Sequence, residues 1–478
     1  MNWLVYIGLL IAVWLVQSLY RAFASPLRRI PGPLYSNVTR LPLKLAILTG
    51  KRMYFVHELH RVYGPIVRIA PDEVDVSSLA EFRGIHRMGT PFLKSDWYEK
   101  FVPSKRPGVF TMRDPKQHAT RRKLLSRPFS KSELRRVWEP VVKDKVELAV
   151  SQIQRDLEMN GKADILKWWT FLATDVSGHL MFGEPFNMLQ FGKKNEYIHV
   201  LESATMVSGI GAELPLLAWL GRHLPFPSLR AMFRANDFLF QYGQRAIINS
   251  RMNSENLNIF SGMVHESDKS DGSVTEEEVV LEAGNLIVAG SDTTAVTLTY
   301  LVWAVLTQPK LQRALEEEVN SLGSNFSDAA LEELPLLNAV IMEALRLYGA
   351  APGALPREAP EGGATFRGYF IPPGVTVSTQ SFSIHRDEEV YPDPERFDMT
   401  RWLAAGELAK RSFSPFGSGA RICLGLHLAW MELRLATAEF FRRCKGARLA
   451  PSATWDNMKP VNHFLISPRG QQCEILPG

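Results

Sequence analysis

The longest uninterrupted apolar run lies at the amino terminus. Trp3 to Tyr20 (WLVYIGLLIAVWLVQSLY) carries no charge and is nearly all aliphatic or aromatic. About 18 residues at roughly 1.5 Å each reach about 27 Å, close to the hydrocarbon thickness of a bilayer, so the run predicts a single membrane-spanning helix. Its basic cluster, Arg21, Arg28 and Arg29, follows the apolar residues, whereas a cleaved signal peptide carries its charge in front. That order places the carboxyl side in the cytosol. Ile30-Pro31-Gly32-Pro33 is a stiff, non-helical stop that turns the chain away from the membrane. Residues 1–30 are therefore expected to form an anchor and hinge. Residues 31–478 show no repeat, low-complexity tract or long linker, and are expected to form one large domain.

Further along, His265 to Ser273 (HESDKSDGS) is the most polar connector and predicts a surface loop. Thr275 with Glu278 then makes a capping-box pattern, and three glutamates favour a helix N-terminus. The next breaker is Pro309, so the helix can run for roughly 33 residues, about 50 Å. Its middle, Ala289-Gly290-Ser291-Asp292-Thr293-Thr294, sets small and polar residues into a run of Leu, Val, Ile and Trp. An aspartate at the centre of a bilayer costs about 2.5 to 3.5 kcal/mol, which favours a core helix with a polar notch over a second membrane span. Between residues 365 and 380, short strands are expected around a Pro-Gly turn. The fold class is mainly α with small β-sheets (α+β).

Composition narrows the picture. With 46% hydrophobic and 22% charged residues among 478, the chain can bury a large core and is not a disordered tail. A net charge of +5 suits an anionic membrane surface or an acidic protein partner but is too mild for nucleic acid. Three cysteines, an odd number in a long chain, fit a reducing compartment without a disulfide framework. Cys444 and Cys473 show no ligand spacing. Cys423 stands in Phe416-Gly417-Ser418-Gly419-Ala420-Arg421-Ile422-Cys423-Leu424-Gly425, ahead of a helical run from His427 to Phe441. Glycines allow a tight loop, and the positive end of the helix is expected to lower the thiol pKa. From these residues alone, a buried inert cysteine is the commoner outcome.

The full pattern F-x-x-G-x-R-x-C-x-G resembles the heme-binding signature of the cytochrome P450 family, with every fixed position filled. Three further features stand in the family's order: Ala289 to Thr294, Glu343-Ala344-Leu345-Arg346 as its E-x-x-R motif, and the anchor with its proline hinge. The resemblance implies one large cytochrome P450-type helical domain over residues 31–478. Heme b would lie between the long central helix and the helix after the cysteine loop. Cys423 is then the axial metal ligand, with Phe416 beside it, and its thiolate pushes electron density toward the O–O bond of dioxygen. Arg421, His118, Arg122 and Arg357 are implied as partners of the heme carboxylates; Arg121 and Lys123 are left as solvated charges. Asp292 and Thr293 are implied as the catalytic acid-alcohol pair that relays protons, and Gly290 as clearance for dioxygen and substrate. In the family the E-x-x-R pair locks to a second arginine. Spacing favours Arg401 for that position, with Arg396 as the rival.

The implied activity is insertion of one atom of O2 into a lipophilic organic substrate by hydroxylation or epoxidation. Only about 50 residues follow the cysteine segment, too few for a flavin domain, so an external NADPH-cytochrome P450 reductase is the implied partner, docking on the basic thiolate side. The implied place is the endoplasmic reticulum membrane, with the catalytic domain cytosolic. Asp292-Thr293-Thr294 followed by Ala295 to Tyr300, and Glu361 to Thr365, look similar to fungal members of secondary-metabolite pathways. Two rivals remain open: a heme-thiolate isomerase or dehydratase that needs no O2, and a non-enzymatic heme-binding protein. Val109 to Met112, Val288-Ala289 and Ala350 to Ala354 are expected around the substrate. His385 is expected to be a structural donor, and Glu316-Glu317-Glu318 a solvated helix face.

Overall fold

The computed structural model describes residues 2–102, 106–194, 207–223, 258–269, 274–323 and 325–478, with 225, 244 and 248 as single positions. The amino-terminal run forms helix α1 (Asn2–Ala24). Its described side chains Trp3, Val5, Ile7, Leu9, Val16 and Tyr20 are exposed, which leaves an apolar surface without a protein partner. A short 3-10 turn (Pro26–Arg29) ends it, and the proline hinge then docks on strand β1 (Ile66–Ala70). There the Arg68 N–H donates to the Pro31 carbonyl at 2.8 Å. A Cβ on Gly32 would lie 2.5 Å from the Arg68 carbonyl oxygen, so only glycine permits this approach.

The main sheet adds β2 (Glu73–Val76), β3 (Leu93–Lys94), β5 (Arg357–Glu358) and β8 (Thr376–Ser378) in the order β1-β2-β8-β5-β3. The β2–β8 pairing is parallel and the others antiparallel. A separate strand β4 (Ala163–Asp164) belongs to a small carboxyl-terminal sheet. Strands β6 (Ala364–Phe366) and β7 (Tyr369–Ile371) make the expected hairpin, but its turn is Arg367-Gly368, both at positive φ (47° and 83°). Such primed turns match the twist of a two-residue hairpin. The Pro372-Pro373-Gly374 turn is a second one, which delivers the chain to β8.

Helices carry the rest: α2 (Pro115–Ser126), α3 (Glu139–Asn160), α4 (Ile165–Phe182), α5 (Glu276–Leu306), α6 (Pro309–Asn320), α7 (Pro335–Tyr348) and α8 (Leu426–Arg443). The capping box at Thr275 and Glu278 forms, and α5 runs for 31 residues, about 46 Å. It packs on α4, α7 and α8, while α8 also packs on α3. Two thirds of its most apolar stretch is buried in protein, as a core helix requires. The polar connector is not all loop: His265 to Ser267 lie in a helix (Ser261–Ser267), and 270–273 fall outside the described residues.

The glutamate run on α6 departs from a solvated face. Glu316 is buried and accepts from Gln312 Nε2 and the Gly446 N–H, both at 2.9 Å. Glu318 accepts the Leu336 and Leu337 N–H groups at 2.8 and 2.7 Å, satisfying donors that the start of α7 leaves free. Glu317 alone of the three is exposed.

On α7, Glu343 and Arg346 form a bidentate pair at 2.8 and 2.8 Å with both side chains fully buried. Arg401 reaches Glu343 with its Nε at 3.4 Å, whereas Arg396 offers only its carbonyl, to Arg346 at 3.2 Å. The third charge of the lock is therefore Arg401. Trp402 Nε1 and the Asp398 N–H, both at 2.9 Å, complete the acceptor set of Glu343. His385 works as donor and acceptor at once. Its Nδ1 bonds the Arg346 carbonyl at 3.0 Å, and its Nε2 accepts the Ser414 N–H at 3.0 Å, tying the lock to the segment that enters the cysteine loop.

Candidate active site

The loop before α8 is built for one sulfur. Gly417 and Gly419 adopt positive φ (74° and 62°), and a Cβ on Gly419 would collide with the His86 carbonyl oxygen. The Cys423 N–H donates to the Phe416 carbonyl at 2.9 Å, so Phe416 fixes the cysteine backbone while its ring packs on the main core. Cys423 has open surface, yet surrounding protein is dense enough to desolvate its thiol. Burial pushes the thiol pKa up, outweighing the Gly425 N–H and the Arg122 charge that lower it. The expectation that the loop alone favours thiolate is thus corrected, because desolvation exceeds the helix-end effect. A bound metal cation deprotonates a coordinating thiol outright.

Across from this loop, α5 meets α8 where Thr294 Oγ1 donates to Glu432 Oε2 at 3.1 Å. Ala289 is exposed in the middle of an otherwise buried helix, and Asp292 and Thr293 are half-buried. The Thr293 hydroxyl donates to the Ala289 carbonyl at 2.8 Å, which commits its proton and leaves its lone pairs outward. Gly290 does not provide clearance for a ligand. Its missing Cβ faces Ser177 of α4, which a side chain would strike, so it is a helix-packing glycine.

A cationic cluster sits beside the cysteine loop. On α2, His118 is buried and Arg122, four residues on, is half-buried. Arg421 donates to the Met112 and Arg113 carbonyls at 2.7 and 3.1 Å. Arg357 Nη2 donates to His86 Nδ1 at 3.3 Å, while its buried Nε has no partner. Arginine can only donate, so His86 carries its proton on Nε2 and gives it to Thr379 Oγ1 at 2.8 Å. Burial, then Arg421, Lys94, Arg122 and Arg357, lower His118 to about 3, leaving it neutral. Among the described residues no ion pair joins Arg122, Arg357 or Arg421 to a carboxylate. Cations without an ion-paired carboxylate among the described residues, an orphaned Nε and a desolvated sulfur together fit a dianionic heme. Arg121 is a correction. It is 4% exposed and paired with Glu278 and Glu282 at 2.8 and 2.9 Å, because one residue of helix rotation turns it from solvent to α5.

Sequence reasoning missed Lys94, His86 and Glu432. Glu432 is fully buried, burial raises its pKa to about 8, and its Oε1 has no partner. A carboxyl raised in the folded state binds more protons folded than unfolded, so its contribution to stability falls as pH rises from about 4.5 to about 8. Glu432→Gln should therefore unfold in urea like the parent near pH 4.5 and gain over it progressively toward pH 8. A gap that stays constant with pH would contradict this.

A cavity of about 330 Å³ is lined by Ala351, Gly353, Ala354, Trp97 and Phe464 with Arg40 and Glu213 among its charged residues. It includes part of the expected Ala350 to Ala354 wall but neither Val109 to Met112, nor Val288-Ala289, nor Cys423.

The family model for Cytochrome P450 matches residues 31–474. The chain is 42% identical over 490 residues to Cytochrome P450 monooxygenase aflV of Aspergillus parasiticus, covering 99% of this chain and 96% of that one. It is 41% identical to Cytochrome P450 monooxygenase stcB of Emericella nidulans, over 96% of this chain and 90% of the relative. Methylphloroacetophenone oxidase of Cladonia uncialis is 34% identical, over 80% and 86%.

Proposed function

The chain belongs to the cytochrome P450 family of monooxygenases, and we propose that it inserts one atom of O2 into a lipophilic substrate of fungal secondary-metabolite biosynthesis. The observation that carries this is the Cys423 sulfur beside Arg122, Arg421 and buried Arg357, cations that form no ion pair with a carboxylate among the described residues. Bound heme b supplies activation of dioxygen, for which a thiolate ligand is the strong electron donor. Cys423 would hold the iron, and Arg421, Arg122, Arg357 and neutral His118 would donate to the two carboxylates, with His86 fixing Arg357 through its Nη2.

Thr293 and Asp292 manage protons. With its own proton held by Ala289, the Thr293 hydroxyl oxygen accepts a hydrogen bond and fixes a water beside the reacting centre. Asp292, one residue before it, supplies protons to that water while the apolar wall of α5 excludes bulk solvent. Thr293→Ala should keep heme and NADPH consumption but lower product formed per NADPH by about tenfold or more, with the missing electrons recovered as hydrogen peroxide. Unchanged coupling would remove Thr293 from the relay.

Residues 31–478 are proposed as the cytosolic catalytic domain. The exposed apolar surface of α1 supports a single-pass anchor in the endoplasmic reticulum membrane, with residues 1–30 as anchor and hinge. Exposed Lys123 and Arg127, near half-buried Arg122 on the thiolate side, suit an acidic NADPH-cytochrome P450 reductase. The test is turnover in microsomes with NADPH and isotopically labelled O2, against compounds that include methylphloroacetophenone, the compound named for one relative. One labelled oxygen atom per product is expected; an unlabelled product would move the assignment to isomerisation or dehydration.

A further inference from the structure

Lys94 is a buried lysine with no acid beside it. It lies on β3 directly opposite Arg357 of β5, is 5% exposed, and donates its ammonium to the Phe110 carbonyl. The Tyr98 and Phe110 rings cover it at 4.1 and 4.5 Å from their centres. The charges nearest in effect are all positive, Arg357, Arg421 and Arg122, and among the described residues Lys94 has no carboxylate partner. Like charges gathered so, two of them buried (Lys94 and Arg357) and two half-buried (Arg122 and Arg421), are unfavourable unless an anion joins them.

The same cations hold a stretch of backbone that has no ladder of its own. Between Gly108 and Arg113, the carbonyl of Phe110 is taken by Lys94, and those of Met112 and Arg113 by Arg421. The Val109 N–H goes to buried Glu282 at 2.7 Å, and the Thr111 and Met112 N–H groups turn back to the Gly108 carbonyl, both at 2.9 Å. Three anchors of one loop, at Phe110, Met112 and Arg113, thus depend on side chains whose mutual repulsion an anion relieves.

We propose that Lys94 is a positioning residue that makes the shape of the Gly108–Arg113 wall conditional on cofactor loading. Neutralised by the heme carboxylates, Lys94 and Arg421 stay on the loop carbonyls; without that counter-charge they are driven apart and the wall loosens. This rests on the heme reading above and adds that substrate fit is set from the carboxylate side of the cofactor.

The test is hydrogen exchange at the Val109 to Met112 amides in four samples: the full chain and Lys94→Met, each reconstituted with heme or with heme dimethyl ester. The parent with heme should exchange slowest. Either change alone should speed exchange about tenfold or more, the worth of one hydrogen bond from a charged donor, and the two together should add little. Lys94→Met should also weaken the substrate-induced spin-state change about tenfold in Kd while keeping the thiolate-type carbon-monoxide band. Exchange in Lys94→Met equal to the parent, or equal acceleration by the ester in both proteins, would overturn the coupling. If Lys94→Met fails to fold, the parent decides alone: equal exchange with heme and its ester overturns the proposal. A parent without the thiolate-type band would fail the heme reading instead.

Discussion

Cys423→Ser is expected to fold, to lose the red-shifted thiolate-type carbon-monoxide band, and to lose substrate oxidation below detection. The exchange of sulfur for oxygen is small in volume, and the backbone anchor from the Cys423 N–H to Phe416 does not involve the side chain. What changes is the donor. A serine hydroxyl is far less acidic than a thiol, so in this desolvated position it stays neutral and gives iron little electron density. Of the proposed carboxylate partners, Arg122, Arg357 and His118 lie on other parts of the chain, so some heme should remain bound. Folded protein with heme but without the band is the informative outcome, because it separates ligation from assembly. It is checked by the carbon-monoxide difference spectrum together with circular dichroism.

Glu343→Leu is expected to have the largest effect on the fold. The carboxylate neutralises Arg346 through two bonds at 2.8 Å, meets Arg401 at 3.4 Å and accepts from Trp402 and Asp398. Removing it leaves the Arg346 guanidinium buried and unpaired, a loss of about 3 to 5 kcal/mol, comparable to much of the stability of a domain. Soluble, heme-loaded protein should therefore fall several-fold or disappear. Arg401→Ala should cost less, since Arg346 still holds Glu343, and Arg396→Ala should cost least, because Arg396 contributes only a carbonyl to Arg346. Urea midpoints of the three variants check the ranking, and an Arg396→Ala loss exceeding that of Arg401→Ala would contradict it.

What could be read from the sequence was chemistry encoded locally. The capping box at Thr275 and Glu278 depends on spacing within one helix and formed, and His118 and Arg122 lie four apart on one helix as their spacing requires. The cysteine-loop pattern likewise named Arg421 and Phe416, whose contacts lie within or beside that loop. Contacts between distant segments were not readable. Lys94 matters through Phe110 and Arg357, Glu432 through Thr294, and His86 through Arg357 and Thr379. Nothing in the residues flanking these three marks them. Gly290 was misread for the same reason: its reason for being glycine is Ser177 on another helix. Arg121 and Arg122 show the limit from the other side, since of two adjacent basic residues on one helix the first is held in internal ion pairs and the second turns toward the cysteine.

The central claim is that a thiolate from this chain holds heme iron. Its most direct test is the carbon-monoxide difference spectrum of the purified, dithionite-reduced full chain after heme supplementation. The expected result is a red-shifted Soret band of the thiolate-ligated type. A protein that takes up no heme, or a band of the imidazole-ligated type, would contradict the account.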